Sequence, residues 1–73
     1  MYVREIMNYW NYALVNNNDK DLWFSQSTNL SAIETLGKMF SDCHIEKWYW
    51  RRGKFSDILY LKETLEGKTL WRE

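Results

Sequence analysis

Thirteen aromatic rings, from five Trp, five Tyr and three Phe, must find places in a chain of 73 residues that has no proline and three glycines. A domain of this length buries only about 60% of the surface its unfolded form exposes, and each ring brings ~150–250 Å² to be covered. Part of the excess is how a short chain builds a core. The remainder exceeds the inward positions of one helix and a few strands, so some rings are expected at the surface, where Trp and Tyr are enriched at binding hot spots.

Polar punctuation divides the rings into short runs. Asn16-Asn17-Asn18-Asp19-Lys20-Asp21 is rich in residues that tolerate left-handed backbone angles, and it reads as a hairpin loop. Before it, Trp10, Tyr12 and Leu14 alternate with Asn11 and Ala13, and after it Leu22 and Phe24 alternate with Trp23 and Ser25, which is the strand period. Val3, Met7, Trp10 and Leu14 also fit one face of an N-terminal helix. Low helix propensity among the Tyr, Trp, Val and Asn residues favours a strand over 8–15.

Ser27-Thr28-Asn29 supplies capping side chains ahead of Leu30, Ile33, Leu36 and Phe40, whose three- and four-residue steps form one apolar stripe. Ser31 and Glu34 offer a second capping frame within the same helix. Gly37 inside that stripe predicts either close packing onto a sheet or an early end to the helix. Strands are then expected at 45–50, 58–65 and 68–71, separated by the Arg52-Gly53 and Glu66-Gly67 turns. The expected fold is α+β: one domain over 1–73, with a small antiparallel sheet of four to five strands and one helix packed on one face.

Charge narrows the function classes. Ten Lys and Arg balance ten Asp and Glu, so the chain has no general attraction for nucleic acid or anionic lipid. No apolar run approaches the ~20 residues of a spanning helix, and Met1-Tyr2-Val3-Arg4-Glu5 does not resemble the start of a leader. A soluble, unprocessed protein without a membrane partner is expected. Cys43 is the sole cysteine and has no disulfide partner within the chain, which fits a reducing, cytoplasmic setting.

Catalytic chemistry has little to stand on. Cys43 and His44 are adjacent, so on an extended strand they point to opposite faces and form no dyad. One Cys and one His fall short of the three or four protein ligands that zinc takes, and Gly37, Gly53 and Gly67 are too dispersed for a phosphate loop. Asp19 with Asp21, and Glu63 with Glu66, lie in loop or turn surroundings that would not split their acidities. The expectation is a protein with no catalytic residue, metal or cofactor.

The segment that concentrates chemistry is Lys47-Trp48-Tyr49-Trp50-Arg51-Arg52-Gly53-Lys54-Phe55, with four cations and four rings in nine residues. Alternation would send Trp48, Trp50 and Arg52 to one side and Lys47, Tyr49 and Arg51 to the other. One side must serve the core; the other would offer a flat ring beside a guanidinium that grips carboxylate or phosphate, or stacks on a base. The partner-binding candidates are therefore Lys47, Trp48, Tyr49, Trp50, Arg51, Arg52 and Lys54. A solvated basic hairpin tip that blocks edge pairing explains the same residues without any partner. Glu46, Asp57, Glu63 and Glu66 offset the cations, and mixed charge with Trp, Tyr and Arg suits a protein interface better than a phosphate backbone. A single-stranded nucleic-acid binder and a homo-oligomer that hides its surplus rings in a self-interface are the competing expectations. Trp71 is expected to close the sheet by packing on Leu59 or Leu61; an edge strand at 68–71 could instead extend a partner's sheet.

The hairpin, capped helix, hairpin order, ending in Tyr60-Leu61-Lys62-Glu63-Thr64-Leu65-Glu66-Gly67-Lys68-Thr69-Leu70-Trp71, resembles that of some very short phage-encoded anti-CRISPR proteins. The likeness covers residues 8–71 in topology and only that tail in residues, while 1–7 has no counterpart. It implies a stand-alone inhibitor that binds a host defence complex, protein or ribonucleoprotein, through Lys, Arg and aromatic side chains.

Overall fold

The computed structural model describes residues 8–73. The alternative N-terminal helical stripe begins at Val3 and Met7, outside the described residues; its described positions, Trp10 and Leu14, are in a strand. The elements are β1 (Tyr9–Asn16), β2 (Trp23–Ser27), α1 (Leu30–Gly37), β3 (Cys43–Arg51), β4 (Ile58–Thr64) and β5 (Thr69–Arg72). The strands make one antiparallel sheet in the order β2-β1-β3-β4-β5. This is the expected small α+β fold with five strands.

The polar loop folds as its composition requires. Asn16 Oδ1 accepts from the backbone N–H groups of Asn18 at 2.7 Å and Asp19 at 2.8 Å, and Asp19 Oδ1 accepts from Asp21 N–H at 3.0 Å. These side chains replace the strand ladder where β1 turns into β2. Asn29 then caps α1, its Oδ1 accepting from Ala32 N–H at 3.3 Å, so the helix starts at Leu30 and the Ser31/Glu34 frame is unused.

Both meanings of Gly37 are realised. It is the last residue of α1, and a Cβ there would meet Leu14 Cδ1 at 3.6 Å. Phe40 therefore lies beyond the helix, a correction to the expected stripe, and stacks on Phe24 of β2 with ring centroids 5.2 Å apart. Asp42, at φ 60°, turns the chain into β3. The crossover returns to the far side of β1, so β2 and β3 run in the same direction with β1 between them.

Ala13, Leu14 and Val15 are consecutive and all fully buried. A strand shows this only when both its faces are covered. Leu14 lies under α1 with Ile33, the one buried residue of the helix, while Ala13 and Val15 join Trp48, Trp50 and Leu59 on the opposite face. The face away from α1 thus carries an apolar cluster of its own.

The two glycine turns differ. Gly67, at φ 93°, makes a tight hairpin in which its N–H donates to Thr64 O at 3.0 Å. Arg52-Gly53 instead opens a six-residue connection over 52–57 rather than a tight turn. Gly53 is needed there for space, since a Cβ would stand 2.2 Å from Ser56 O.

Candidate functional site

Pairing register assigns every strand residue to a face, because directly opposed residues share one. On the helix side, Trp10 opposes Tyr49 and Tyr12 opposes Lys47. Lys47 also opposes Glu63. α1 touches β1, β2 and β3 but neither β4 nor β5. Among the described residues no element therefore covers the far half of this face.

Beside it, across β1, β3 and β4, lies an aromatic and basic platform. Lys47 Nζ stands 5.0 Å from the Trp10 ring centroid and 5.1 Å from that of Tyr49. Tyr49 and Tyr60 lie 6.4 Å apart, and the Arg51 guanidinium is 5.6 Å from the Tyr60 ring. A slip in register at Tyr49/Trp50 places both Tyr60 and Leu61 against Tyr49, which is what brings a second tyrosine beside the first. Each cation has an acid nearby: Arg51 pairs with Glu73 at 2.8 Å, and the Tyr49 hydroxyl donates to Glu63 Oε1 at 2.9 Å next to Lys47. Trp10 is 41% exposed, so the platform is open at its rim.

The opposite face is differently built. Glu46 is buried, its Oε1 accepting from Trp48 Nε1–H at 2.8 Å and its Oε2 lying 2.6 Å from His44 Nε2. The other His44 nitrogen contacts Asn17 Oδ1, tying the β1–β2 loop to β3. Trp23 meets Trp48 edge-on at 6.4 Å, Trp50 donates to Asn11 Oδ1 at 3.0 Å, and Lys62 Nζ is 4.7 Å from the Trp48 centroid and 6.0 Å from that of Trp71.

The seven expected contact residues are thus divided by the sheet. Lys47, Tyr49 and Arg51 meet on the helix-side platform. Trp48 and Trp50 belong to the other face, where Trp48 is 4% exposed. Arg52 lies past the end of β3 and so does not continue the Trp48, Trp50 row; it is exposed in the connection with Lys54, whose Nζ is 5.4 Å from the ring of Phe55. At the base of that connection the Tyr9 hydroxyl donates to Asp57, and this bond raises the Tyr9 pKa above its ordinary value. Trp71 opposes Lys62 on the edge strand and is 43% exposed.

Cys43 and His44 do diverge as strand neighbours should, the thiol toward Ser41 O and the imidazole toward Glu46. Among the described residues no group of three or more His, Cys, Asp or Glu is placed to hold a metal ion, and no helix is long and apolar enough to cross a membrane. Trp10 and Tyr60 are the platform residues absent from the sequence-based set. The alternation of Trp10, Tyr12 and Leu14 signals the first; nothing local signals Tyr60, which depends on the bulge. Comparison with protein-family models, curated proteins and solved structures found no match to this chain.

Proposed function

We propose that this chain is a non-catalytic interaction protein whose contact surface is the platform of Trp10, Lys47, Tyr49, Arg51 and Tyr60. The observation that carries this reading is the cluster itself, where three rings and two cations stand together on one face with Trp10 two-fifths exposed. Rings of this kind contribute large contact area with little rotamer entropy to lose, and charges matched by Glu63 and Glu73 favour a partner of mixed charge over a polyanion.

The reading is tested by quantitative capture from a cell lysate with the native chain and with Lys47→Glu/Arg51→Glu. Capture of the same species is lost in the double variant while thermal unfolding stays within a few degrees. Equal capture by both proteins overturns the proposal. Extending the reversal to Arg52 separates the connection from the platform.

The resemblance of the C-terminal hairpin to anti-CRISPR proteins narrows the partner to a host defence complex. Under that reading, expression of the chain in a bacterium with active CRISPR immunity protects a targeted phage, and the double variant does not. A second reading, single-stranded nucleic-acid binding, is favoured by Lys47 lying between two rings, the ring and cation pairing that base stacking uses. It requires tryptophan quenching by an oligonucleotide that reverses with salt. A third, self-association through the sheet edge, is favoured by β5, in which every residue is exposed; light scattering decides it.

A further inference from the structure

The face opposite the platform holds a cavity of about 410 Å³ between the β1–β2 loop and β5, within the ~300–1,000 Å³ range of ligand pockets. Its walls include Lys20, Asp21, Glu46, Lys62 and Trp71. Lys62 decides what it holds. Its ammonium stands over the Trp48 ring and within reach of Trp71, and among the described residues it forms no ion pair. A cation is therefore already seated on indole rings rather than on a carboxylate, with the buried Glu46 carboxylate anchored to the Trp48 indole N–H behind it.

We infer that this cavity is a binding site for an alkylammonium group, the chemistry of a methylated lysine side chain or a small quaternary amine, with Lys62 as the internal occupant that an incoming cation displaces. Three features support it. The faces of Trp48 and Trp71 supply the quadrupole that attracts ammonium. With Lys62 swung into solvent, the charged walls of the cavity are Glu46, Asp21 and Lys20, two carboxylates to one ammonium. A methylated ammonium also sheds its hydration at lower cost than the primary ammonium of Lys62, so it gains more from the same rings.

The site goes beyond the proposed contact surface and lies on the other side of the sheet, so the two stand or fall separately. The test titrates the ¹⁵N-labelled chain with Nα-acetyl-Nε-trimethyllysine methylamide, with tetramethylammonium, and with the neutral isostere in which carbon replaces the ammonium nitrogen. The Trp48 and Trp71 indole N–H signals are followed. The expected result is saturable movement of both signals by a cationic probe, at least about tenfold tighter than by the isostere. Saturation by the lysyl amide alone identifies a side chain as the ligand, and saturation by tetramethylammonium as well identifies the quaternary amine. Lys62→Ala, which removes the internal competitor, tightens binding at least about threefold, and Trp71→Ala weakens it about tenfold. Lys47→Glu/Arg51→Glu leaves it unchanged. Equal affinity for probe and isostere, no tightening in Lys62→Ala, or no movement of either indole at roughly 10 mM probe overturns the inference.

Discussion

The Trp48 indole donates its Nε1–H to Glu46 Oε1 at 2.8 Å, and both residues are 4% exposed, two positions apart on the same face of β3. Each satisfies a polar group that burial would otherwise leave without a partner. The carboxylate can sit inside a small aromatic core because His44 takes its second oxygen.

Removing that acceptor has a defined consequence. Glu46→Ala leaves the buried Trp48 N–H unpaired and is expected to cost about 1–3 kcal/mol, whereas Glu46→Gln keeps an acceptor and costs less. Urea unfolding of both variants, with the Trp48 indole N–H chemical shift as the local probe, checks the order.

The helix side depends on Ile33, which is fully buried and is the only buried residue of α1. Ile33→Ala opens a cavity beneath α1 and is expected to cost ~2–5 kcal/mol. Leu36→Ala, at a half-buried position of the same helix, costs less. Equal losses from the two substitutions would show that α1 docks differently.

The Tyr9 phenol is held in its neutral form chiefly by its hydrogen bond to Asp57, with burial and the charge of Asp57 acting in the same direction and Arg52 opposing them. A folded-state value raised above the unfolded value of about 10 means that this bond stabilises fully below pH 10 and is lost as pH rises through the folded value. Absorbance titration near 295 nm should therefore show a late-ionising tyrosine that disappears in Tyr9→Phe. In Asp57→Asn it should shift down toward the ordinary value.

The two turn glycines separate two kinds of strain. Gly67→Ala has open space around its Cβ but a φ of 93°, so its cost is conformational and about 1 kcal/mol. Gly53→Ala forces a Cβ to 2.2 Å from Ser56 O and 3.2 Å from Ile58, so it must move the backbone of the 52–57 connection. The expected signature is a larger loss of stability together with changed amide shifts for Asp57 and Ile58. Gly67→Ala should leave those amides alone.

Local pattern determined the elements of this protein. The Asn/Asp block, the Asn29 cap, the alternation through Trp10–Leu14 and the Gly67 turn each act within a few residues, where hydrogen bonding and backbone sterics dominate, and each appears where the sequence places it. The sequence also established that the rings exceed what one core can hold: Trp10, Trp23 and Trp71 are all more than two-fifths exposed. Tertiary structure alone decided which rings meet. Pairing β3 with β1 across the helix crossover joined Trp10 to Lys47, and a bulge set by packing, with no local residue signal, delivered Tyr60 to Tyr49. Strand alternation then divided one basic, aromatic run between two faces. Period-two geometry fixes that residues separate, whereas only the folded sheet fixes what each of them finds.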